Sequence, residues 1–143
     1  MSERNLMRAA ILGSTCLIAL GCDAQSKKVS DAFDICLRTN DTVSTDLKRG
    51  IDGRRGTIQV GQKAYRIDIA TTLYRTDSIA KHVMDDVGGD LRYVGQSERG
   101  YVNELQLIYA YRQTWGDYVI VRVSGRDEAE LKVIGAKLQR CTQ

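Results

Sequence analysis

Few residues in this sequence have the types and spacing that catalysis needs. The only histidine, His82, precedes Asp85 and Asp86, and His82 with Asp86, at i and i+4, would share one face of a helix. Two or three ligands from one element do not complete a metal site. A serine or cysteine nucleophile would have to borrow the same histidine. H-E-x-x-H, C-x-x-C, G-x-S-x-G and G-x-x-x-x-G-K-[ST] are all absent. Carboxylates pair in sequence as Asp85 with Asp86 and Glu128 with Glu130, with nothing to set any two of them across a cleft. The expectation is a non-enzymatic protein without cofactor, metal or catalytic residues.

Recognition chemistry is better represented. Residues 48–56 read Lys-Arg-Gly-Ile-Asp-Gly-Arg-Arg-Gly, four cations and three glycines in nine positions. This predicts a mobile, positively charged loop ahead of the first strand. There Arg49, Arg54 and Arg55 would dock carboxylates or phosphates of a partner or rest on anionic lipid headgroups. A solvated turn whose charges only favour solubility is the alternative. Trp115 falls where a hairpin turn is expected, either as an interface anchor or folded back over the sheet edge.

The elements that must hold these residues follow from periodicity. Val29, Phe33, Cys36 and Leu37 recur at helical spacing, and Asn40 could stop that helix. Ile79, Val83 and Val87 predict a middle helix ended by Gly88-Gly89. Leu131, Ile134, Leu138 and Cys141 predict a last one, with Asp127 and Glu130 as a capping box. Between them, residues 57–60 and 63–74 flank a Gly61-Gln62 turn, a hairpin signature. Residues 91–95, 101–112 and 118–124 read as three further strands, with Val119, Val121 and Val123 on one face and Tyr118, Ile120 and Arg122 on the other. The predicted order is αββαβββα: an α+β fold with an antiparallel meander of about five strands and helices on one face.

The first residues are of another kind. Arg4 and Arg8 precede residues 9–20, which are apolar or small throughout. This run is too short for a bilayer span, which takes roughly 20 residues, and it predicts a signal peptide over residues 1–21. Ile18-Ala19-Leu20-Gly21-Cys22 resembles the lipobox of bacterial lipoproteins, although Ala19 stands where that class more often has leucine. The resemblance covers only the leader. It implies cleavage before Cys22 and acyl chains, palmitate among them, on that cysteine. Two chains give stable anchoring where one does not. Asp23 resembles the signal that in some bacteria retains lipoproteins at the inner membrane. Cleavage after Ala24, releasing a soluble periplasmic protein, is the other reading of the leader.

Of four cysteines, Cys16 would leave with the leader and Cys22, as the resemblance implies, would be lipidated, so Cys36 and Cys141 would remain as a pair. An oxidising periplasm favours a disulfide between them, linking the two terminal helices. Residues 22–28 then form the lipidated N-terminus and a short tether of about 20 Å, and residues 29–143 a single domain. The 43% hydrophobic fraction suits a globular domain, and a net charge of +3 is not the footprint of a nucleic-acid binder. Together these lead to a membrane-tethered lipoprotein on the periplasmic side of the cell envelope, binding a protein partner there as an inhibitor or immunity protein. A structural subunit of a secretion or other envelope assembly is the second reading, and a cell-wall hydrolase the third.

Overall fold

The computed structural model describes residues 24–51, 53–72, 85–97, 102–113 and 117–141. Among them are ten strands and one helix: β1 (Gln25–Ser30), β2 (Ile35–Thr39), β3 (Val43–Arg49), β4 (Gly53–Val60), β5 (Lys63–Thr72), β6 (Asp85–Val87), β7 (Asp90–Gln96), β8 (Leu105–Arg112), β9 (Tyr118–Gly125), α1 (Glu128–Lys137) and β10 (Leu138–Gln139). They build a seven-stranded sheet, β3-β4-β5-β9-β8-β7-β6, and a three-stranded sheet, β1-β2-β10, with every neighbouring pair antiparallel. The larger sheet is two meanders, β3 to β5 and β6 to β9, joined where β5 pairs with β9. The fold is therefore mostly β, and the α+β arrangement with helices on one face of a single meander is overturned.

Each departure from the helix-rich expectation has a local cause. The spacing of Val29, Phe33, Cys36 and Leu37 straddles two strands and the turn between them, where Ser30 Oγ accepts the Ala32 amide at 3.2 Å. In β2, Ile35, Cys36 and Leu37 are consecutive and all buried, because the middle strand of the small sheet is covered on both faces and shows no alternation. Asp85–Val87 is a strand where the middle helix was expected to end, while Ile79, His82 and Val83 lie outside the described residues. Gly88 and Gly89, expected as a helix stop, have φ of 62° and 89° and turn β6 into β7. Positive φ at both central residues is the requirement of a tight type I′ hairpin. The terminal helices linked by a disulfide are thus β2 and a turn after β10. The disulfide itself is present, with Cys36 and Cys141 Cα atoms 5.0 Å apart.

The five expected strands are present, and the last helix is too, ending at Lys137 before Leu138 and Cys141. Gly61, at φ 60°, turns β4 into β5, and β7, β8 and β9 follow. Asp127 caps α1 by accepting the amides of Ala129 and Glu130 at 2.9 and 3.2 Å, a cap worth about 1 kcal/mol. The main core lies between the inner face of the large sheet and the layer formed by the small sheet and α1. Ile58, Ile67, Ile69, Leu107, Tyr109, Val119, Val121 and Val123 meet Val29, Ile35, Leu37, Leu131 and Leu138 there. Leu91, Ile108, Ala110 and Ile120 form a second buried cluster on the opposite, outer face. No helix among the described residues is long and apolar enough to cross a membrane.

The register gives the molecule two distinct ends. Gln25 pairs with Thr39, and the Lys27 ammonium reaches the Asp41 carbonyl. Val43 then pairs with Val60, and the Gly61 amide donates to Thr42 O at 2.8 Å, so the chain enters the fold beside the β4–β5 turn. β3 runs from there for seven residues, about 20 Å, and ends at the β3–β4 tip. Tyr118 beside Thr72, Arg112 beside Tyr118 and Asp90 beside Tyr111 lie at that far end too.

Candidate functional site

The basic segment is a hairpin rather than a mobile loop ahead of the first strand. Arg49 pairs with Arg54 and Lys48 with Arg55, and the Gly50 amide donates to Gly53 O at 2.8 Å across the tip. The glycines serve close strand approach. A Cβ at Gly53 would run into the Ile69 carbonyl, and one at Gly56 into that of Asp46. Only a residue without a side chain lets β4 lie this close to its neighbours.

Pairing also divides the arginines. Arg49 and Arg54 continue the row of Leu47, Ile58 and Ile69 that faces the core layer, while Lys48, Arg55 and Asp68 lie on the outer face. Arg54 borders a polar cavity with β1 and the turn after it, and it also reaches the outer face at the tip. The three arginines therefore do not form one fork. Trp115 and Cys22 lie outside the described residues, as does His82. The β8 and β9 ends that flank residues 114–116, closed by the Gln113 amide donating to Asp117 O at 2.6 Å, sit at the hairpin end.

The outer face brings to the hairpin two residues that the basic motif does not contain. In register across the sheet, Lys48, Arg55, Asp68 and Arg122 stand in one row on β3, β4, β5 and β9. Arg55 Nε lies 3.3 Å from Asp68 Oδ2, with the arginine side chain 75% exposed, so this pair contributes under about 1 kcal/mol to stability. Arg122 stands on the other side of the same aspartate, and among the described residues its side chain has no ion pair or hydrogen bond. Two adjoining cavities of 410 and 460 Å³ share Arg55 and Asp68. Among the described residues, their walls carry Lys48, Arg54, Arg55, Arg66 and Arg122 against Asp46 and Asp68. Arg66 is already engaged, 2.9 Å from Glu104 Oε1.

At the mouth of this trough stands Ile51, fully exposed at 101% and the most exposed large apolar side chain among the described residues. A β-branched residue has no advantage in a two-residue hairpin loop, where Asn, Asp and Gly are favoured. Among the described residues, Ile51 packs against nothing that would justify it. Sequence reading had one usable signal for Arg122, a charge on the opposite side of β9 from the three valines. Its alignment with Arg55 needed the β5–β9 pairing, which joins distant parts of the chain.

A second group of charges lies on the inner face, with Asp90 buried and Arg92 and Arg140 half-buried. Arg92 donates to the carbonyls of Gly135 and Leu138 at 2.7 and 2.6 Å, satisfying the C-terminus of α1, and stacks 4.9 Å over the Tyr109 ring. Tyr109 donates to Asp90 Oδ2 at 2.8 Å, and Arg140 Nη2 lies 3.1 Å from Asp90 Oδ1. Arg140 also stacks over Tyr111. Burial, and then the Asp90 hydrogen bond and charge, push the Tyr109 hydroxyl far above the usual tyrosine range. Every member of this group is used in holding α1 and the disulfide-bonded C-terminal turn against β7 and β8.

No protein family model matches this chain, and no curated protein sequence matches it.

Proposed function

We propose that the chain is a membrane-tethered envelope lipoprotein whose domain is a non-enzymatic protein-binding module of the inhibitor or immunity type, engaging its partner with the β3–β4 hairpin end. One observation carries this reading: the chain enters the fold at Gln25, at the end of the large sheet opposite the basic tip. Only Asp23 and Ala24 separate Cys22 from β1, a reach of about 10 Å over three residue steps. With acyl chains on Cys22, the β4–β5 turn lies against the bilayer and the cationic trough faces away from it. This orientation favours a protein partner for the arginines over lipid headgroups. Arginine is among the residues enriched at interface hot spots, and the fully exposed Ile51 adds apolar surface beside it.

The test is site-specific photo-crosslinking in cells that express the full chain, with the reactive group at Ile51 or at Gln62. A discrete protein adduct from Ile51 that Gln62 does not give is the expected result. Adducts from Gln62 alone, or equal adducts from both, would overturn the assignment of the hairpin end. In the same cells, labelling by a palmitate analogue should be lost in Cys22→Ser, and a mature protein that still begins with Met1 would remove the tether.

A further inference from the structure

We infer that the trough over β3, β4, β5 and β9 binds an extended acidic segment of the protein partner, whose carboxylates engage Arg55 and Arg122 while an apolar side chain covers Ile51. This deepens the partner-binding reading and rests on it. Among the described residues, one cross-strand row holds three cations, Lys48, Arg55 and Arg122, and one carboxylate, Asp68, which is paired with Arg55. Arg122 stands on the middle strand of a seven-stranded sheet with no polar side-chain partner among the described residues, and its guanidinium plane suits a carboxylate held by two parallel hydrogen bonds. Asp68 holds Arg55 through Nε and leaves its outer nitrogens for a ligand.

The size of the ligand follows from the sheet. Arg55 and Arg122 are two strand steps apart, about 10 Å, which matches the spacing of side chains at i and i+3 on one face of a segment extended as polyproline II, at about 3.1 Å per residue. Adjoining cavities of 410 and 460 Å³ accept such a segment rather than a single small ion. Ile51 at the mouth supplies the apolar contact that a headgroup layer would not use.

The probe is a blocked octapeptide, Leu-Ser-Glu-Ser-Ser-Glu-Ser-Ser, titrated into the mature domain while the arginine Nε–H signals are followed by NMR. Shifts at Arg55 and Arg122 are expected, together with affinity that falls about fivefold in Arg122→Gln and in Arg55→Gln, each removing one charge-assisted contact, and that falls again with added salt. Arg55 is largely exposed, so its variant tests the site independently of any effect on the central strand. The inference is overturned if the glutamine version of the peptide binds equally well, or if the glutamate peptide does not bind. It is overturned equally if inorganic phosphate or phosphatidylglycerol vesicles shift the same arginines in preference to the peptide. An Ile51 adduct in cells without peptide binding would discard the acidic segment and leave the partner-binding reading standing; loss of both would discard the two together.

Discussion

The molecule contains two arginine groups that have the same chemistry and opposite circumstances. On the inner face, Arg92 and Arg140 are held by carbonyls, by Asp90 and by tyrosine rings, and they fix α1 and the C-terminal turn to the sheet. On the outer face, Lys48, Arg55 and Arg122 stand in one row with Asp68, which pairs with Arg55, and they line a trough. A guanidinium whose donors are met by backbone and carboxylate has its energy invested in the fold. One left beside a cavity has its donors free for something outside. Cation content alone would not separate the two groups, whereas partner geometry does.

Breaking the inner group should cost the most. Cys36→Ser with Cys141→Ser opens a bridge across a sequence separation of 105, and the chain-entropy account puts the loss at about 4 to 5 kcal/mol. Urea unfolding should show it as a large drop in midpoint, with the Arg140–Asp90 contact one residue from Cys141 loosened as well. Arg92→Ala comes next. It removes two short hydrogen bonds to the end of α1 and a stacked ring, for roughly 3 kcal/mol by the same measurement.

A pH experiment sharpens the comparison further. The Tyr109 hydroxyl is raised above its ordinary value of 10.0 by burial and by Asp90. The unfolded chain therefore loses this proton first. The stability the group contributes is complete below pH 10 and drains away as the pH climbs from there towards the folded value. Tyr109→Phe should be less stable than the native chain at pH 8 and show a shallower fall between pH 10 and 12, followed by circular dichroism. Tyr111, raised chiefly by its own burial, leaves a residual slope.

How far sequence reading reached depended on how local each signal was. The Gly61-Gln62 hairpin, the alternation of β9 and the Asp127 cap are decided by residues a few positions apart, and they were legible. Residues 29–40 misled because β2 is buried on both faces, so an apolar run of Ile35, Cys36 and Leu37 carried no period-2 signal and mimicked a helical stripe. β3 was missed because an edge strand with Ser44, Thr45, Asp46 and Lys48 exposed shows little hydrophobicity at all. Gly88-Gly89 marks a reversal equally well after a helix or between strands. At the site, the basic motif was visible as composition. The separation of Arg49 and Arg54 from Arg55, and the recruitment of Asp68 and Arg122, are consequences of register and could not be read without it.

The smallest expected effect is the most informative. The urea midpoint of Arg122→Gln, measured beside that of Arg92→Ala, separates an arginine kept for binding from one kept for folding. Arg122→Gln should lie within about 0.5 kcal/mol of the native chain, as surface substitutions without structural partners do. A loss as large as that of Arg92→Ala would make Arg122 part of the scaffold and leave the trough without its central binding group.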